Sequence, residues 1–120
     1  MTRPAFLIAL LSLGTVPISA AAELAPFTPE RMWQLQRIGA PDVSADGRFA
    51  VAAVSRFDMA ENKAYSNIWQ WDTATGAARQ LTSRNVSDGS PLVSPDGRRM
   101  AFASQRESDT APQIYLLPLD

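Results

Sequence analysis

The stretch "SADGRFAVAAVS", residues 44 to 55, returns fifty residues later as "SPDGRRMAFASQ", residues 94 to 105. No other feature restricts the fold as much, because a repeated supersecondary unit buries its apolar faces against copies of itself. Aligning Gly47 with Gly97 places Pro41 on Pro91, Val43 on Val93, Ser44 on Ser94, Asp46 on Asp96, Arg48 on Arg98 and Ala53 on Ala103. Seven of the thirteen positions from 41 to 53 are therefore identical. The match resumes where "NIWQWD" (67 to 72) faces "QIYLLP" (113 to 118), with Ile68 on Ile114 and Trp69 on Tyr115 at an offset of 46. The second copy has thus lost four residues from its connecting loop. A period of 46 to 50 residues lies in the range of propeller blades.

Each copy reads as a run of strands. "PDV" and "PLV" form short first strands, and Asp-Gly supplies the positive φ of a tight turn. The second strands, Arg48 to Ser55 and Arg98 to Ser104, are apolar on both faces after their arginine, as expected where sheets stack on sheets. "NIWQWD" is a third strand, "DTATGAAR" a hairpin loop with Gly76 at its turn, and "ARQLT" a fourth. Residues 41–82 then make one blade, and "SRNVSDGS" crosses to an incomplete second blade over 83–120. The expected fold class is all-β, a partial β-propeller of about one and a half four-stranded antiparallel blades. Propellers close with roughly four to eight blades, so the chain is expected to be a piece of a larger one.

Two segments precede the repeats. "MTRPAFLIALLSLGTVPISAAAE" has the parts of a secretory signal: Arg3 as n-region, an apolar run from Ala5 to Leu13, and small residues up to Ala22 for cleavage. Nine residues, apolar but for Ser12, fall short of the roughly 18 to 20 that span a bilayer, so no stable membrane anchor is expected. Residues 1–22 are read as a signal peptide, cleaved near Ala22, which makes the protein secreted or periplasmic. In the linker of 23–40, Thr28 is suited to N-cap a helix with Pro29 at its first position and Glu30 in its first turn. Gly39 and Pro41 would end that helix. Met32, Leu35 and Ile38 would form its apolar stripe, with Trp33 at the edge, for packing on something larger.

Composition excludes more chemistry than the motifs suggest. The sequence has no Cys and no His, which removes disulfides, the commonest zinc ligands and the usual base of a nucleophilic triad. Without Arg3 the chain carries ten basic and twelve acidic side chains, a net charge of −2, with no basic block for nucleic acid. Asp88 beside Gly89 lacks the succession of oxygen ligands of a calcium loop. No catalytic residue, cofactor or metal site is therefore expected. Asp46 and Asp96 each precede a turn glycine, which makes them turn residues rather than a carboxylate pair. Arg48 and Arg98 are read as exposed partners of those aspartates. Trp69 and Trp71, alternate residues of one strand, share a face and fill space between blades.

From "LAPFTPERMWQLQRIGAPDVSADGRF" to "RQLTSRNVSDGSPLVSPDGRRMAFASQRESDTAPQIYLLPLD", the sequence resembles the start of a secreted serine peptidase of the prolyl oligopeptidase family, of dipeptidyl and acylaminoacyl peptidase type. Ala45 departs from the usual Pro of the first "SPDG", and Val93 stands where an aromatic is frequent. The resemblance implies that the missing remainder of the propeller and a C-terminal α/β-hydrolase domain follow, with short peptides as substrate. This segment would then be scaffold and substrate gate with no catalytic residues of its own. No G-x-S-x-G elbow occurs in the sequence. The resemblance also implies that propeller-edge loops face the substrate, which singles out Arg56, Asp58 and Glu61 in "RFDMAENKAY" and Arg106 and Glu107 in "QRESDTAP" as candidate contacts. "SPDG" blades occur as well in non-enzymatic TolB-like propellers that act by protein or ligand binding, and this is the alternative function.

Overall fold

The computed structural model describes residues 25 to 119; the expected signal peptide lies outside them. Apart from one short helix the described chain is antiparallel sheet, the partial propeller expected. Helix α1 spans Pro29–Gln34, and the Thr28 hydroxyl accepts the Arg31 N–H at 3.3 Å, so the N-cap forms where the sequence put it. Trp33 rests on Phe57 with ring centroids 4.8 Å apart. No helix among the described residues is long and apolar enough to cross a membrane.

The first sheet holds β1 (Arg37–Ile38), β2 (Asp42–Val43), β3 (Phe49–Asp58), β4 (Lys63–Asp72) and β5 (Ala78–Gln80). Strands β1 and β2 lie in line along one edge of β3, and β4 and β5 follow on its other side. The second sheet is β6 (Gly89–Val93), β7 (Arg99–Ser104) and β8 (Gln113–Pro118), in that order. Gly47 and Gly97 sit at φ +72° and +71°, with open space where a Cβ would stand. Glycine is needed there for backbone conformation, not for room.

The pairing registers establish the repeat in three dimensions. Ala53 faces Ile68 across β3–β4, and Ala103 faces Ile114 across β7–β8; Ala52–Trp69 corresponds to Phe102–Tyr115 in the same way. The offsets of 50 and 46 are thus those of one hairpin with two loop lengths.

One expectation fails. The helix does not run to Gly39; it ends at Gln34, and Leu35 has extended backbone. Arg37 and Ile38 instead pair with Ser55 and Val54, and the Gly39 N–H donates to the Ala53 carbonyl at 2.8 Å. The edge of β3 beyond β2 would otherwise leave ladder groups unpaired, and those hydrogen bonds outweigh a modest helix propensity. Ile38 is therefore a strand residue, 67% exposed, not part of a helical stripe. Pro41, without an N–H, interrupts the first strand between β1 and β2. Gly89-Ser90-Pro91, fifty residues on, falls where β6 shifts register, with Ser90 at φ +50°.

Directly paired residues share a face and neighbours alternate, so each sheet has two faces. The first sheet turns Phe49, Val51, Ala53 and Ile68 toward the second, which turns Val93, Met100, Phe102, Tyr115 and Leu117 back. Val51, Ile68 and Met100 are completely buried in this seam and Phe102 nearly so. Each such side chain contributes about 1.5–3 kcal/mol by leaving water. A polar tie supplements the seam: the Val93 N–H donates to the Asp42 carboxylate at 2.7 Å, joining β2 to β6.

Candidate functional site

Chain direction brings three loops to one end of the two-sheet stack. Strand β3 runs into the 59–62 turn, β7 into the 105–112 loop, and β5, parallel to β3, into the 83–88 crossing. Side chains tie the crossing to the first sheet. The Asn67 amide donates to the Arg84 carbonyl at 2.9 Å, and the Ser66 hydroxyl donates to the Asp88 carbonyl at 2.6 Å. The opposite end carries the two Asp-Gly turns and the 73–77 loop.

All five residues expected to contact substrate lie at the three-loop end, in two groups. In the first, Asp58 accepts the Ala60 and Glu61 N–H groups at 2.9 and 3.1 Å, so its carboxylate shapes the turn. The Tyr65 hydroxyl donates to Glu61, an interaction that raises the phenol's pKa. The Arg56 guanidinium stands 5.3 Å over the Tyr65 ring and donates to the Asn85 side chain at 2.9 Å. In the second group, the Arg106 guanidinium lies 3.6 Å above the Tyr115 ring. The Tyr115 hydroxyl donates to Asp109 at 2.7 Å, and the Arg106 N–H donates to the same oxygen at 2.8 Å. Those two hydrogen bonds, with the Arg106 charge behind them, hold the Asp109 carboxyl below its ordinary range. Tyr115 is correspondingly pushed up, mainly by its bond to Asp109.

Asn85 links the groups. An open cleft between the crossing and the β7–β8 loop is lined by Arg84, Asn85, Arg106 and Glu107, and Arg56 reaches its rim through Asn85. Asp58 and Glu61 are engaged with their own turn and its Tyr65 and do not line the cleft. Sequence reading missed Arg84 and Asn85, which sit in a segment taken only as a crossing. The signal that could have found them is the Arg-Asn pair immediately after the closing "RQLT" strand, in the loop that must pass the next blade's edge.

Such a cleft is suited to recognition. Guanidinium forks and an amide suit a carboxylate or a peptide carbonyl. Both tyrosines are shifted away from ionisation, and the chain has no His or Cys to serve as base or nucleophile. At the opposite end, Asp46 accepts the Ser44 hydroxyl at 2.7 Å and pairs with the Arg48 guanidinium at 2.6 Å, the only ion pair among the described residues. Trp69 and Trp71 stack with centroids 6.5 Å apart on the outer face of the first sheet.

No family model matches the sequence. Over 77 residues the chain is 36% identical to the uncharacterized peptidase YuxL of Bacillus subtilis, a match covering 64% of this chain and 12% of that protein. Over 77 residues it is 34% identical to dipeptidyl-peptidase 5 of Porphyromonas gingivalis, covering 64% of this chain and 11% of that one. The chain thus matches only about an eighth of the length of these relatives. Among solved structures, the β-propeller domain of the trilobed protease from Pyrococcus furiosus aligns with a TM-score of 0.57 at 21% identity, over 70% of this chain and 24% of that one. The acylaminoacyl peptidase of Pyrococcus horikoshii aligns with a TM-score of 0.59 at 21% identity, over 72% of this chain and 13% of that one. At that identity the two structures speak for the fold, and the two sequence relatives speak for the kind of protein that carries it. Together they show a partial β-propeller whose sequence is similar to short stretches of two peptidases.

Proposed function

We propose that this chain is the N-terminal propeller segment of an exported serine peptidase that hydrolyses short peptides, and that it serves as scaffold and substrate gate without catalytic residues. The observation that carries this reading is the 36% and 34% identity to two peptidases, each over 77 residues. Further blades and an α/β-hydrolase module would complete the enzyme. The gating surface is the three-loop end, with Arg56, Arg106 and Glu107 meeting the substrate and Asp58 and Glu61 shaping the turn beside them. The signal peptide would be cleaved near Ala22 on export.

The chain alone should show no turnover of dipeptidyl or acylaminoacyl chromogenic substrates. Cleavage that survives purification and is blocked by a serine-directed phosphonate would overturn the scaffold role. The codons after Asp120 decide the peptidase role: further blades and then G-x-S-x-G with Asp and His beyond it are expected, and a stop after a closed propeller would refute it. N-terminal sequencing of protein recovered from the periplasm or medium should begin at Ala22 or Glu23; retention of Met1 in the cytoplasm would refute export.

A further inference from the structure

The cleft at the three-loop end has walls built from two loops that each begin and end in a strand of the chain. Residues 84–86 lie in the crossing between β5 and β6, and residues 106–108 lie in the loop between β7 and β8. Its charged groups are Arg84, Arg106 and Glu107, with Asn85 beside them. Two guanidiniums against one carboxylate leave the lining with one positive charge. Asp109 stands behind Arg106 and is not part of the lining; one of its oxygens accepts both the Tyr115 hydroxyl and the Arg106 N–H.

The donors of the cleft are positioned by the fold itself. The Arg106 guanidinium lies 3.6 Å above the Tyr115 ring, and Asp109 grips both ends of that stack through the Arg106 N–H and the Tyr115 hydroxyl. Stacking occupies the flat face of the guanidinium and leaves the N–H donors at its edge. Arg84 is fixed through its backbone, whose carbonyl accepts the Asn67 amide at 2.9 Å. Its charge, like that of Arg106, reaches the Tyr115 hydroxyl, which places both cations around one ring. Asn85 is oriented by Arg56: its Oδ1 accepts the Arg56 guanidinium at 2.9 Å, which turns the Nδ2 donors away from Arg56.

We propose that this cleft is a carboxylate anchor for peptides, in which Arg84 and Arg106 bind the two carboxylate oxygens and Asn85 Nδ2 donates to a neighbouring peptide carbonyl. The proposal rests on the gating role proposed above and gives that gate a substrate class: peptides that carry a carboxylate, at a C-terminus or on an acidic side chain, in preference to neutral ones. Guanidinium forks match the two oxygens of a carboxylate in plane and spacing. The single positive charge of the lining is neutralised by a monoanion, whereas a phosphate dianion would leave an excess of negative charge beside Glu107. Because Arg106 is already stacked, little side-chain freedom is lost when the ligand binds.

The test titrates the full 120-residue chain with N-acetyl-Ala-Ala bearing a free C-terminal carboxylate, N-acetyl-Ala-Glu-amide, N-acetyl-Ala-Gln-amide and inorganic phosphate. Binding is read from the NMR shifts of the backbone amides of residues 84–86 and 106–108. At least one carboxylate peptide should shift them and the glutamine peptide should not. A response to the first peptide alone assigns the anchor to a peptide C-terminus, and a response to the second alone assigns it to an acidic side chain. Arg84→Gln and Arg106→Gln should each weaken binding by about two- to fivefold, the range of an exposed ion pair. Arg79→Gln, near the opposite end, should leave it unchanged. The proposal is overturned by no shift from either carboxylate peptide, by equal shifts from the glutamine peptide, by tighter binding of phosphate, or by binding indifferent to both arginine substitutions. The peptidase reading is decided separately by the codons after Asp120. A hydrolase domain there without carboxylate binding here refutes the anchor alone, and carboxylate binding without a hydrolase domain refutes the peptidase alone.

Discussion

Asp46 shows how much a turn residue can be perturbed without any catalytic purpose. The Ser44 hydroxyl, the Arg48 N–H and the Arg48 guanidinium, in that order of weight, hold its pKa at about 2 against an ordinary 3.8. Because the folded value lies below the unfolded one, the stabilisation is fully present above about pH 4 and is lost as pH falls toward 2. Asp96, Asp72 and Asp109 are lowered as well, so acid weakens the fold from several turns at once. Asp46→Asn should therefore lose less of its urea midpoint between pH 4 and pH 2 than wild type; parallel declines would refute the assignment. The effect is small, since the Arg48 side chain is 81% exposed and water screens the pair. A second residue carries an internal cost. The Ser104 hydroxyl is buried without a hydrogen-bond partner, and its repeat counterpart is Val54. An unsatisfied buried hydroxyl costs about 1–3 kcal/mol, so Ser104→Ala should raise the stability of the isolated chain by about 1 kcal/mol in urea denaturation. A clear loss would mean that the hydroxyl has a partner.

At the level of elements, the strands were legible from period, turn residues and repeat, whereas the end of the helix was not. Asp-Gly turns and apolar strands repeat because backbone and packing demand them locally. The stop of α1 at Gln34 depends on a hydrogen-bonding edge supplied by residues 54 and 55, which no local rule sees. The sequence did hold a clue at longer range: Gly39 and Pro41 match Gly89 and Pro91 at the same offset of 50, so the repeat begins before Pro41. The candidate site was legible to the same extent. The loops were found by counting, but Arg84 and Asn85 enter the cleft only because β5 runs parallel to β3 and delivers them to that end. The repeat also sharpens a stability prediction. Ile68→Ala opens a cavity in the seam and should cost about 2–5 kcal/mol. Ile114→Ala, the same change at the counterpart position, should cost less than about 0.5 kcal/mol in dilute chains, because the side chain is already in water. Equal costs in chemical denaturation would show that Ile114 is covered within a single chain.

For the molecule as a whole, the decisive fact is that neither sheet owns the core. Val51 and Ile68 come from the first sheet, Met100 and Phe102 from the second, and all four belong to one buried cluster. Three strands with an apolar face are the minimum for independent stability, and Met100 and Phe102 are buried only against the first sheet's Val51 and Ile68, so the second sheet depends on the first for its stability. The first sheet in turn loses the cover of Val51 and Ile68 if the second opens, since its other face is already half open at Trp69 and Trp71. The Asp42 bond to the Val93 N–H works in the same direction, for a β6 that drifts away leaves that donor and carboxylate unpaired. Unfolding is therefore expected to be one transition for both sheets, although the chain is built from two repeats. Met100→Ala provides the test. Truncating Met100 costs about 2–5 kcal/mol at a fully buried site, and although the change lies in β7 the loss should appear in both sheets. In hydrogen exchange followed residue by residue, the slowest amides of β3 and β4 should lose protection by the same free energy as those of β7 and β8. Loss confined to β7 and β8 would mean that the first sheet folds alone, and the two repeats would then be independent units sharing a surface instead of halves of one core.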